Sequence, residues 1–319
     1  MSDKEHGRGT ATINEFRHSA LFYRGEDEFV TETGAFVRDG LEADEAVLVA
    51  VPVQRAERLR EQLADDARRI RFVDMEQIGR NPARIIPVWR AFADEHATVG
   101  RGFRGIGEPI WDGRNEQEVV ECQLHEALLN LAFDGGAAWS LLCPYDASVL
   151  DPDVIARARH SHRLVCEHGA MLESDLFEPL DPDAAFSGGL EDPPPELVEL
   201  AFTADDLGAI REVVGSAAID AGARLERAAD LVLAASELAA NSIRHGGGRG
   251  TLRVWKDNGS VICECRDAGG IDQPLVGRVR PRPDQVDGRG LWLANEVCDL
   301  VQIRSLRDGS VVRVHLRVD

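Results

Sequence analysis

Glu237-Leu238-Ala239-Ala240-Asn241-Ser242-Ile243-Arg244-His245-Gly246 is the stretch whose reading decides the fold. It succeeds the alanine-rich run Ala228-Ala229-Asp230-Leu231-Val232-Leu233-Ala234-Ala235-Ser236, a strong helix former. In a helix, Glu237 and Asn241 stand at i and i+4, one turn apart on one face. A carboxylate placed to take a proton beside a carboxamide placed to hold Mg²⁺ is what ATP-dependent phosphoryl transfer requires. A bare Glu-x-x-x-Asn also fits an ordinary amphipathic helix with its polar residues in water, so the pair alone does not decide between the two.

The residues C-terminal to it do. The strand-like run Ser260-Val261-Ile262-Cys263-Glu264-Cys265 leads into Asp267-Ala268-Gly269-Gly270, and Asp287-Gly288-Arg289-Gly290-Leu291-Trp292-Leu293 opens a second helix. An Asp at a strand end beside glycines can accept the adenine amino group where the backbone approaches closely. Glycines before a helix leave N–H groups free for phosphate oxygens at its positive end. The order of the three, Glu/Asn helix, Asp-Gly turn and Gly-x-Gly-Leu helix, carries far more weight than any one of them.

On these motifs, residues from about 200 to 319 resemble the ATP-binding (GHKL, or Bergerat) domain shared by gyrase, histidine kinases and MutL. Within that group they are similar to the anti-sigma-factor serine/threonine kinases of the RsbW type. The resemblance implies an α+β two-layer sandwich that binds ATP and Mg²⁺, with Glu237 as catalytic base and Asn241 as Mg²⁺ ligand. It makes Asp267 the adenine-reading acid, Gly288 and Gly290 the glycines of the phosphate-covering turn, and His245 the end of the Glu/Asn box. Gly269, Gly270, Arg289 and Leu291 complete the nucleotide-binding set. The family's turn usually reads Asp-x-Gly-x-Gly, whereas here Gly269 and Gly270 are adjacent and Ile271 comes next, which loosens the adenine end more than the phosphate end. The stretch Gln273 to Asp287 reads as a short lid; Arg278, Arg280, Arg282 or Arg289 could reach the phosphates, with a solvent-facing role the default for each.

The chain has 319 residues, 44% apolar and 29% charged, enough for two cores. No segment approaches the roughly 18 uncharged apolar residues of a membrane span, and Met1 to His6 lacks an apolar signal core, so a cytoplasmic protein is expected. A net charge of −20 disfavours nucleic acid as a direct ligand. Six scattered cysteines form neither a disulfide framework nor a zinc motif, and Cys263 and Cys265 should share the core face of one strand. From Leu164 through Ile210 there is no Lys or Arg, while Glu191-Asp192-Pro193-Pro194-Pro195 stiffens the backbone. We therefore place a first domain over 15–170, an acidic Pro-rich linker over 171–196 and the ATP-binding domain over 197–319.

The first domain alternates strands (20–23, 46–51, 70–74, 103–107, 138–143) with helices (25–40, 54–65, 82–96, 116–133), an α/β pattern with a mainly parallel sheet. Phe16-Arg17-His18-Ser19-Ala20-Leu21-Phe22-Tyr23, Gly105-Ile106-Gly107-Glu108-Pro109 and Cys122-Gln123-Leu124-His125-Glu126-Ala127-Leu128-Leu129-Asn130 resemble the MEDS sensory domain. That resemblance implies a degenerate RecA/KaiC-like fold, and the absence of Gly-x-x-x-x-Gly-Lys-Ser/Thr disfavours ATP hydrolysis in this half. Ligands of such sheets gather at the carboxyl ends of the strands. A pocket for a small-molecule signal is accordingly expected from Glu108, Trp111, Glu121, His125 and Tyr145. Cys122, His125 and Glu126 share one helix face and could be joined in a metal site by His18, His160, His162 or His168, although Cys122 as a small hydrophobe and His125 in a core hydrogen bond is the simpler expectation.

Arg159-His160-Ser161-His162-Arg163-Leu164 lacks the acid and proline of a phospho-accepting histidine motif, so these residues read as a solvated helix end rather than a histidine-kinase acceptor. The resemblance implies a STAS-type anti-anti-sigma protein and a sigma factor as partners, with homodimerisation as a further expectation. The alternatives are a nucleotide-binding module that sequesters a sigma factor without catalysis, a signal-responsive kinase of an unrelated partner and, with less support, a histidine-kinase-like sensor.

Overall fold

A computed structural model describes residues 15–282 and 288–318. The first half runs β1 (Arg17–Tyr23), α1 (Gly25–Glu42), β2 (Ala46–Val51), α2 (Val53–Leu63), β3 (Ile70–Asp74), α3 (Met75–Ile78), α4 (Ile85–Ala97), β4 (Phe103–Gly107), α5 (Glu116–Phe133), β5 (Ser140–Asp146), α6 (Pro152–Ser161), β6 (Leu164–Glu167) and β7 (Ala170–Glu173). Its strands form one seven-stranded sheet in the order β3-β2-β4-β5-β1-β6-β7. All pairings are parallel except β6 with β7. The sheet is covered on both faces, which is why Ala46–Val51 is apolar without alternation and entirely buried. One face packs on α1 and α2 around Tyr23, Phe29 and Leu59. The other packs on α4, α5 and α6 around Trp89, Trp139 and Tyr145.

Two sequence readings shift. The strand expected over 138–143 is β5, which starts at Ser140 and continues through Pro144, Tyr145 and Asp146, residues expected to lie beyond its end. Its partner β1 extends to Tyr23, so pairing continues to Tyr23 opposite Asp146. In the segment read as linker, Ala170–Glu173 is a strand on the edge of the first sheet. Ala185 and Phe186 are buried in the core of the second half. The apolar side chains among the acids and prolines are what anchor this segment.

The second half runs β8 (Val198–Phe202), α7 (Leu207–Asp220), α8 (Leu225–His245), β9 (Gly250–Asp257), β10 (Ser260–Asp267), α9 (Arg289–Val297), β11 (Leu300–Leu306) and β12 (Gly309–Arg317). The strands form an antiparallel sheet in the order β11-β12-β10-β9-β8. Alternation along β12 decides its two faces: Val312, Val314 and Leu316 join the core under the helices, so Arg313, His315 and Arg317 point the other way. Cys263 and Cys265 lie in the same core, as their spacing requires.

That opposite face is polar yet buried, because the first half and the connecting segment cover it. Glu264 is fully buried and bonded to Arg313 at 2.7 Å. Arg304 donates to Glu121 of α5 at 2.7 Å, Arg317 pairs with Glu118 of α5, and Arg313 also donates to the Glu191 carbonyl.

His315 sits in this layer, its Nε2 2.9 Å from Gln302 Oε1. Burial, reinforced by Arg313, pushes its imidazole down to about 3. Between about pH 6.5 and 3 the unfolded chain binds a proton that the folded chain refuses, so stability falls as pH falls through that window. His315→Gln should flatten the loss: from pH 7 to 5 the wild type should lose about 2 kcal/mol more than the variant in denaturant titrations. Equal slopes would mean that His315 is not held neutral.

Candidate functional site

The site is built on α8. Ala228, Leu231, Ala234, Ala235, Leu238, Ala239 and Ser242 are its buried positions, at helical spacing. That face fixes the helix on the sheet and leaves Glu237 and Asn241 half-buried at its edge. Gly290, in the first turn of α9, lies directly against both. A Cβ there would stand 2.9 Å from Glu237 Oε2 and 3.0 Å from Asn241 Nδ2, so any larger residue would push these side-chain ends aside.

Gly288 precedes α9 with φ +83°, a left-handed conformation that favours glycine, and gives the helix no side-chain cap. The positive end of α9 is thereby set beside Asn241, where an anion is favoured. Arg289 is exposed at that same turn.

At the far end, Asp267 closes β10. Its Oδ2 accepts from Ser242 Oγ at 2.6 Å, and its Oδ1 accepts from Gly269 N–H at 2.8 Å and Ser310 Oγ at 3.0 Å. A carboxylate oxygen has about two acceptor sites, so Oδ2 retains one for an amino group. Neither serine was singled out in the sequence. Ser242 was legible as the next buried position after Leu238 and Ala239, whereas Ser310 comes into place only through its register opposite Asp267.

A cavity of about 310 Å³ joins these ends, lined by Asn241, Ser242, His245, Asp267, Gly269, Gly270, Gly288 and Leu291, with Leu238, Cys265, Ile271, Val276 and Val312 supplying apolar walls. A few convergent polar groups on an apolar lining are the usual character of a cofactor pocket. Residues 200–316 match the family of the histidine kinase-like ATPase domain, and residues 17–163 match the MEDS family, the methanogen/methylotroph, DcmR sensory domain. The chain carries a MEDS domain followed by a histidine kinase-like ATPase domain. No curated protein matches it.

The cavity fits the nucleotide that the ATPase domain implies. Asp267 Oδ2 keeps an acceptor site, apolar walls can take a base, and the positive end of α9 and Asn241 suit phosphates and a cation. Arg278, considered for the phosphates, is instead buried facing Glu121 of the MEDS domain, and burial lowers its guanidinium to about 10. Residues 283–287 of the lid lie outside the described residues.

The five residues expected to line a signal pocket in the MEDS domain are divided among separate surroundings. Glu108 accepts from Tyr23 Oη at 2.8 Å and pairs with Arg55 at 3.0 Å. Burial pushes it up to about 8 against the pull of Arg55. Trp111 lies under the Arg114 guanidinium, and Glu121 faces the ATPase domain through Arg304. His125 is buried with no partner for Nδ1, contrary to the expected core hydrogen bond. Tyr145 stands edge-on to His162 on the other face of the sheet from Tyr23. Cys122 donates to the Pro109 carbonyl. His160 is half exposed, but His162 is fully buried rather than solvated, because the chain turns inward at the end of α6.

Proposed function

We propose that the chain is a signal-responsive anti-sigma regulatory protein of the RsbW type, whose ATPase domain phosphorylates a serine or threonine of a STAS-type anti-anti-sigma partner. The observation that supports this best is the Glu237/Asn241 pair packed against Gly290 at the start of α9. A domain that only held nucleotide would need the cation ligand but not a carboxylate one turn away. Bound ATP–Mg²⁺ supplies the γ-phosphoryl group. Glu237 accepts the proton of the partner's hydroxyl as it attacks, Asn241 holds the metal, and Asp267 accepts the adenine amino group. Unphosphorylated partner competes with a sigma factor for this protein, and phosphorylation ends the competition.

The MEDS domain reaches α9 from its other end, which supports a regulatory role. Asn81 donates to the Asn295 carbonyl and side chain at 3.1 and 3.0 Å. Arg84 donates to the carbonyls of Asn295 and Cys298 at 2.7 and 2.5 Å. Asn295 in turn donates to Gly277 of the lid at 2.9 Å. A signal that favours one arrangement of the halves would thereby act on the helix whose first turn meets the phosphates.

The test is transfer of labelled γ-phosphate from ATP–Mg²⁺ to candidate STAS proteins. Label on a partner's serine or threonine is expected, and Asn241→Ala should weaken Mg²⁺-dependent ATP binding by roughly 10- to 100-fold. ATP binding and sigma-factor capture without any transfer would instead establish a nucleotide-holding sequestration module.

A further inference from the structure

Four buried side chains from four segments of the MEDS domain converge on one point. His18 lies on β1, Cys143 on the adjacent β5, Glu126 on α5 and His162 at the C-terminal cap of α6. Their ligand atoms all lie within 4.8 Å of one another. Glu126 Oε2 is 2.9 Å from His18 Nε2 and 3.1 Å from His162 Nε2. Cys143 Sγ is 3.3 Å from His18 Nε2.

The outer hydrogen bonds decide what faces inward. His162 Nδ1 is 2.7 Å from the Ala158 carbonyl oxygen, which can only accept, so Nδ1 carries the proton. His18 Nδ1 is 3.2 Å from Asn130 Oδ1. That amide is oriented by its own Nδ2, which donates to the Ser161 carbonyl at 2.8 Å, so its oxygen faces the ring and Nδ1 again carries the proton. A neutral imidazole protonated at Nδ1 presents only a lone pair at Nε2. Two such lone pairs, a carboxylate and a sulfur therefore meet in a buried space. A thiol proton on Cys143 would serve His18, but His162 Nε2 and both Glu126 oxygens still lack a hydrogen-bond partner. Protonating one ring would pair it with Glu126 but leave the other Nε2 lone pair against the same carboxylate oxygen, and protonating both would bury two imidazolium ions with centroids 4.0 Å apart against a single carboxylate.

We infer that the MEDS domain binds a divalent metal ion of the zinc type through His18 Nε2, His162 Nε2, Cys143 Sγ and the Glu126 carboxylate. Two imidazoles, a thiolate and a carboxylate are donors that Zn²⁺ accepts, and are unlike the all-oxygen sets of Mg²⁺ and Ca²⁺. A tetrahedral zinc with these donors has ligand–ligand edges of about 3.3–3.6 Å. The observed 2.9, 3.1 and 3.3 Å need to open by only a few tenths of an ångström. On binding, the Cys143 thiol releases its proton to solvent, and thiolate and carboxylate together neutralise the ion. Asn130 and the Ala158 carbonyl hold the outer ring N–H groups, as the partners of metal-bound histidines do. A groove of about 630 Å³, lined by His18 and Asn130 themselves, provides the route in.

The full-length chain, purified without a metal-chelating affinity step, should contain about one zinc per chain by mass spectrometry. Reconstituted with Co²⁺, it should show a thiolate charge-transfer band and the visible bands of a four-coordinate ion. Cys143→Ser should remove the charge-transfer band, whereas Cys298→Ser, a buried thiol of the ATPase domain, should keep it. Asn130→Ala, which removes no ligand, should weaken metal affinity by roughly 10- to 100-fold; a packing role alone would leave it unchanged. Folded wild-type chain, verified by circular dichroism, that holds no zinc and takes up neither Zn²⁺ nor Co²⁺ would overturn the inference. So would a charge-transfer band that survives Cys143→Ser.

Discussion

Glu237→Gln should lower phosphoryl transfer to the partner by roughly 10²- to 10⁴-fold while ATP–Mg²⁺ affinity stays within a few-fold. Gln keeps the size and a hydrogen-bonding oxygen, so the packing against Gly290 and Asn241 persists, but it cannot take the hydroxyl proton. The half-buried setting of Glu237 leaves it reachable by an incoming hydroxyl. Single-turnover transfer with labelled ATP, alongside equilibrium nucleotide binding, separates the two effects. A variant that transfers at the wild-type rate would remove Glu237 as base. One that loses ATP binding as well would make the carboxylate part of the nucleotide cradle.

Glu121→Leu should destabilise the folded chain by about 3–5 kcal/mol, the usual cost of removing one member of a buried ion pair. Glu121 is 1% exposed and accepts from the buried Arg304 at 2.7 Å across the domain boundary, and its charge also acts on the buried Arg278, whose Nε and Nη1 have no hydrogen-bond partner. Without the carboxylate these two cations are left facing each other in the interface. The damage should appear as a loss of cooperativity between the halves, with one thermal transition becoming two. Glu121→Leu combined with Arg304→Leu should recover part of the loss, because it removes one of the stranded charges. A single-variant cost below about 1 kcal/mol would mean that water reaches the interface and screens the pair.

Local motifs and long-range contacts differ in how far a linear reading of this chain reaches. Glu237, Asn241, Asp267 and Gly288 to Leu291 stand out in the sequence because each lies in a short motif whose spacing implies its geometry, and the fold brings Asn241, Asp267, Gly288 and Leu291 onto one cavity. The βα alternation was legible because period and apolar runs report which faces are covered. Glu121 was misread as a signal ligand, since a carboxylate on a helix face carries no mark of what lies opposite it. His162 was misread as solvated because a helix end with Arg and His looks the same in sequence whether the chain continues outward or turns in.

The sequence by itself therefore determined the two domains, the βα alternation of the first as far as Cys143 and the helix that carries Glu237 and Asn241, because those depend on contacts within a few residues. Only the tertiary structure decided what joins them. The buried arginine layer on the outer face of the second sheet needs α5 to cover it. The His18, Glu126, Cys143 and His162 cluster needs β1 and β5 to pair in parallel and α5 and α6 to pack on the same face. Side chains more than a hundred residues apart are brought within bonding distance by sheet register, and register is set by the whole fold rather than by any local stretch.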